Sequence, residues 1–79
     1  MLLDETVTAE TAPSGRPIEI SGSRGHWRVR RVLGEWQAPG ETRLYRLQMS
    51  TLDGPAVAEV ASPAASAEPH GWRLRQIWR

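Results

Sequence analysis

The chain contains no cysteine, no lysine and no phenylalanine, and no apolar run approaches the roughly 20 residues of a membrane helix. Without cysteine there is neither a disulfide framework nor a thiolate metal site. Small secreted domains often depend on such staples, so their absence favours the cytoplasm. A signal peptide does not fit either, because Met1-Leu2-Leu3 runs straight into Asp4 and Glu5 with no basic flank. With no phenylalanine, the aromatic complement is Trp27, Trp36, Trp72, Trp78 and Tyr45. Each buried ring of this kind removes roughly 150–250 Å² from water. The 79 residues allow a single domain, and a chain this short buries only about 60% of its unfolded surface. The few rings are therefore the expected anchors of the core.

Net charge is small but uneven in placement. The formal net charge is +1. Residues 1–15 carry Asp4, Glu5 and Glu10 and no base, whereas residues 16–79 carry ten Arg against six acids. A GC-rich genome accounts for the amount of arginine but not for its positions. The first fifteen residues are rich in Thr, Ala and Glu and end in Pro13-Ser14-Gly15. With no clear period and little to bury, they read as a flexible acidic tail.

From Arg16 onward the pattern is one of strands divided by turns. Pro17-Ile18-Glu19-Ile20 alternates apolar and polar residues, with proline at the start of a strand. Ser21 to Gly25 is a turn cluster. A long second strand runs from His26 to Gln37, with Trp27 and Val29 on one face and Arg28 and Arg30 on the other. Val32 has the wrong parity to continue the first face. A bulge near Arg30-Arg31 would restore it and return Val32 and Trp36 to the core, while Gly34 permits bending or close packing under a Trp. Ala38-Pro39-Gly40-Glu41 fits a type II turn. In the third strand, Arg43 to Thr51, Tyr45, Leu47 and Met49 share one face. Asp53-Gly54 signals a reversal. Ala56 to Ala61 reads as a weak fourth strand at an edge or a loosely packed position, Ser62 to Gly71 as an exposed loop, and Trp72 to Trp78 as the last strand. The expected architecture is all-β: a five-stranded antiparallel meander, strongly curled or half closed, over residues 16–79.

Three strands repeat one short unit: Trp27-Arg28-Val29-Arg30, Tyr45-Arg46-Leu47-Gln48 and Trp72-Arg73-Leu74-Arg75. A period of two turns the rings and aliphatics inward and sends Arg28, Arg30, Arg46, Arg73 and Arg75 outward. In one curled sheet they would form a cationic stripe able to hold a polyanion such as single-stranded DNA. The alternative is an ordinary solvated face, paired to Glu19, Glu35, Glu41 or Glu59 or covered by the acidic tail. Trp36 and Trp78 are core candidates that could instead face a partner as hot spots.

The residues offer little for catalysis. His26 and His70 both neighbour glycine at strand starts, and two imidazoles, even with Glu68, make a poor metal site. Ser21, Ser23, Ser50 and Ser62 have turn or strand-end roles available. Gly22 and Gly25 precede a strand, so no phosphate-cradling loop is formed. No cofactor, metal or catalytic residue is expected.

The succession Pro17-Ile18-Glu19-Ile20, Trp27-Arg28-Val29-Arg30-Arg31-Val32-Leu33 with Trp36, Tyr45-Arg46-Leu47 and Trp72-Arg73-Leu74 resembles a small actinobacterial β-rich family of unknown function. Its members share a "PVEV"-like first strand, a "YRVREVLDRW"-like second strand and a "WWLYRVYD"-like closing strand. The resemblance covers about residues 16–79. The chain departs from it at Arg24-Gly25-His26, a shortened lead-in, and at Arg79, where the family ends on an acid. The resemblance implies a stand-alone accessory domain, often encoded beside translesion-polymerase-like and other DNA-damage genes, with no assigned activity. The expected function is thus a non-enzymatic interaction or accessory module. Its partner would be another protein or a second copy of the chain, and the alternative is a single-stranded DNA contact through the arginine face.

Overall fold

A computed structural model describes residues 2–37, 43–63 and 71–78. Six strands follow one another: β1 (Leu2–Thr11), β2 (Pro17–Gly22), β3 (Gly25–Gln37), β4 (Arg43–Thr51), β5 (Gly54–Ala61) and β6 (Trp72–Trp78). Each pairs antiparallel with the next, and β1 also pairs with β6, so the meander closes into a barrel. The five expected strands are β2 to β6. Among the described residues no helix is long and apolar enough to cross a membrane.

The sixth strand comes from the segment that reads as a tail. In β1, Val7 and Ala9 are buried while Thr6, Thr8 and Glu10 face out. A strand needs apolar residues only on its inner half, and two small ones suffice in a narrow barrel, so the composition conceals it. The first part of β1 pairs with β6, placing Val7 opposite Trp72, and the second part pairs with β2, placing Ala9 opposite Ile20. Closure removes the open edges that a five-stranded sheet would expose at β2 and β6.

β5 is likewise no edge. It lies between β4 and β6, and Ala56, Ala58, Val60 and Ala61 are buried. Its low β-propensity has a packing reason: Ala58 stands opposite Leu47 and Ala56 opposite Met49, small against large, as the interior of a small barrel requires. The expected turn at Ala38–Glu41 and most of the expected loop before β6 lie outside the described residues.

The core is a ring of inward side chains. Ile20, Leu47, Met49, Val60 and Leu74 have essentially no exposure, and Trp27, Tyr45 and Trp72 join them. The Tyr45 and Trp72 rings lie 5.8 Å apart at a 30° tilt. Two acids share the inward parity at opposite mouths of the barrel. Glu5, opposite Leu74, accepts from Arg24 Nε at 3.0 Å, and Glu35, opposite Tyr45, meets Arg16 at 3.5 Å and Arg43 at 3.9 Å.

Of the five register shifts among the described residues, one skips Ile18 on β2 and leaves it exposed, and three reset the alternation on β3 and β6. The β3–β4 register slips once between Val29 and Arg31 and again between Val32 and Gly34. The first slip, at the expected place, returns Val32 to the core. The second, at Leu33, reverses parity once more, so Glu35 turns in and Trp36 turns out. In β6 a slip beside Arg75 does the same: Leu74 and Ile77 are buried and Trp78 is outside. Trp36 and Trp78 are therefore not core residues.

Two variants probe closure. Gly22 faces inward, where a Cβ would come within 2.8 Å of Val7 Cγ1. Gly22→Ala should cost about 1–3 kcal/mol by overpacking, read as a lower thermal midpoint. Leu47→Ala, in the fully buried layer, should cost about 2–5 kcal/mol. Leu52→Ala at the fully exposed β4–β5 tip should stay within about 0.5 kcal/mol. Equal effects at residues 47 and 52 would contradict the inward assignment.

Candidate binding surface on the outer wall

The two displaced indoles meet on one cation. Arg46 leaves the outer face of β4, and its guanidinium carbon lies 5.7 Å from the Trp36 ring centre and 5.1 Å from that of Trp78. Trp36 leans over Gly34, where a Cβ would stand 3.2 Å from its Cζ3. The glycine is thus the close-packing site under a Trp that the sequence suggested, but outside the barrel. Glu59, the cross-strand partner of Arg46, accepts from its Nη2 at 3.3 Å. Cation–π contacts at exposed sites contribute roughly 0.5–1 kcal/mol each, enough to fix the rings without burying them. Trp36 remains 40% and Trp78 36% exposed.

The wall around this cluster is ordered by register. Arg31, Gln48, Val57 and Trp78 form one outward row across β3, β4, β5 and β6; Gly34, Arg46, Glu59 and Gln76 form the next. Arg28, Ser50 and Pro55 form a third row on the other side. Two shallow grooves lie on this wall. One, of about 480 Å³, is lined by Glu19, His26, Arg28, Ser50, Thr51 and Leu52. The other, of about 260 Å³, is lined by Gln48, Pro55, Ala56, Val57 and Trp78. The cross-strand pair Ser50–Pro55 joins them.

The five expected arginines do not make a single stripe. Barrel closure distributes them over β3, β4 and β6, and β3 and β6 are three places apart in the ring. Arg46 is bound to Glu59. Arg73 is bound to Asp4, at 2.7 Å, and to Thr6 on β1, so the acidic segment does cover part of the expected face, as an integral strand. Arg28, Arg30 and Arg75 are exposed and make no ion pair among the described residues. Arg31, outside the expected set, shares this state and the Arg28 face. The bulge that places it there was legible in the sequence, and following its parity one residue further would have found it.

A second constellation escaped the sequence reading. His26 Nδ1 lies 2.7 Å from Ser21 Oγ, and its Nε2 lies 2.8 Å from Glu19. Register produces this arrangement: Ser21 stands opposite His26, and Glu19 is two residues away on the same outward face. The order is that of a nucleophile, base and acid, but the His26 side chain is 63% exposed, so water is not excluded from it as general-base catalysis through a triad favours. Among the described residues no group of three or more potential metal ligands occurs. The convergence of His26 with His70 and Glu68 lies outside the described residues. Compared with family models, curated proteins and solved structures, the chain matches none.

Two classes of tryptophan follow from this geometry. Acrylamide should quench Trp36 and Trp78 strongly and Trp27 and Trp72 weakly, so a Trp36→Phe/Trp78→Phe protein should lose most of the accessible emission. Uniform quenching of all four rings would contradict the bulge assignments.

Proposed function

We propose that this chain is a non-enzymatic interaction module of the cytoplasm that docks a partner protein on the outer wall around Trp36, Arg46 and Trp78. One observation carries the reading. In a chain with four tryptophans, two are turned out of the barrel by separate bulges and held side by side on one guanidinium. Burying them instead would have strengthened a core that is marginal at this size. Trp and Arg are the residue types most enriched at the centres of interfaces. A standard interface covers ~800 Å² per partner, roughly a sixth of the 4931 Å² surface of this chain. Closure of the barrel favours a side-chain interface over strand addition. The open groove beside His26 and Glu19 supports a binding role over catalysis. A partner in DNA-damage repair is proposed on the family resemblance alone.

Affinity capture from nuclease-treated native extract tests the proposal, with Trp36→Ala/Trp78→Ala as comparison. The expected result is a specific partner whose retention falls at least tenfold in the double variant while the melting curve changes little. Equal retention by the two proteins would move the contact surface elsewhere and overturn the assignment.

A further inference from the structure

The same wall has the features of a track for a single nucleic-acid strand, and we infer that Arg28, Arg31, Trp36 and Trp78 bind single-stranded nucleic acid along β3 and β4. This rests on the outer wall being the contact surface, and it names a partner for it. The bulge at Arg30 is the central observation. Without it, Arg28 and Arg31 would point to opposite faces. With it, Arg28 faces Ser50 and Arg31 faces Gln48. These β4 residues are two apart, so the two arginines leave the sheet from backbone positions about 6.8 Å apart along it. That is close to the separation of neighbouring phosphates in an extended strand. Arg30, the bulged residue, adds a third exposed guanidinium between them.

Charge pairing across the molecule sharpens the track. Asp4, Glu5, Glu35 and Glu59 are each paired with arginine, and the Glu19 carboxylate lies against His26. Arg28, Arg30 and Arg31 have no such partner among the described residues, so three of the four arginines without an ion pair there lie together on β3 and the fourth, Arg75, on β6. Glu19 is the cross-strand neighbour of Arg28, yet its carboxylate is taken by His26 at 2.8 Å. From the cations the surface continues over Ser50, which lines the groove beside Arg28, and Gln48, which lines the second groove with Trp78. Phosphates lie on Arg28 and Arg31, and bases reach Trp36 further along β3 and Trp78 across β4 and β5 in the row of Gln48 and Val57. Stacking on an aromatic face tolerates any base and needs it unpaired. An acidic peptide would use the cations but gain little from the rings, and duplex DNA presents no free base face.

Fluorescence anisotropy of a labelled 15-nucleotide oligo-dT at low salt, with tryptophan emission read in parallel, tests the inference. The expected result is micromolar binding with quenched emission and an affinity that falls with salt with a log–log slope of about −0.7 per phosphate contact. Arg28→Ala/Arg31→Ala and Trp36→Ala/Trp78→Ala should each weaken binding at least tenfold. Arg16→Ala/Arg73→Ala, which removes the same charge from ion-paired positions, should change it less than twofold. No binding at 20 mM salt, an equal loss in the control variant, or equal affinity for duplex or poly-glutamate would overturn the inference. None of these would touch a protein partner captured through Trp36 and Trp78, so failure here is distinct from failure of the docking surface.

Discussion

The period of two in a paired strand, imposed on a ring without edges, is the constraint on which this structure depends. Each inward side chain commits its neighbours to solvent, and closure of β1 on β6 leaves no free edge. The interior is then filled from alternate positions, small opposite large, as Ala56 and Ala58 show against Met49 and Leu47. Only an inserted residue can change which side chains enter. The bulges at Ile18, Arg30, Leu33 and Arg75 therefore decide which of the large residues form the core.

Their consequences differ. The bulge at Arg30 recovers Val32 for the interior and brings Arg31 to the face of Arg28. Those at Leu33 and Arg75 give up an indole each, and Ile77 is gained in exchange for Trp78. For a small domain, releasing two of five aromatic rings is a substantial loss of burial. Arg46 partly offsets it, because its guanidinium and stem lie against both rings while Glu59 holds its charge. The outer wall is thus a second organised layer built from the same alternation as the core.

Ion pairing follows the ring as well. Glu5 and Glu35, turned inward by parity, sit at the two mouths where Arg24, Arg16 and Arg43 can reach them. Asp4 on β1 takes Arg73 from β6. Exposed pairs contribute little energy individually, but together they sort the arginines into those already satisfied and those left facing solvent on β3 and at Arg75 of β6.

Much of this was legible in the residues. The repeated units at Trp27, Tyr45 and Trp72 gave the strands and their inner faces, and the broken parity at Val32 gave the first bulge. Gly34 announced a close approach by a ring. The segment Leu2–Thr11 was hidden because a strand with two small inner residues has the composition of a tail, and it acquires a role only when β2 and β6 stand beside it. The sequence by itself determined the strands, their spacing and the residue types that alternate along them, because these depend on local geometry. Tertiary structure alone decided closure, the outward fate of Trp36 and Trp78 and the cations left without acids, because each depends on partners dozens of residues away across the ring.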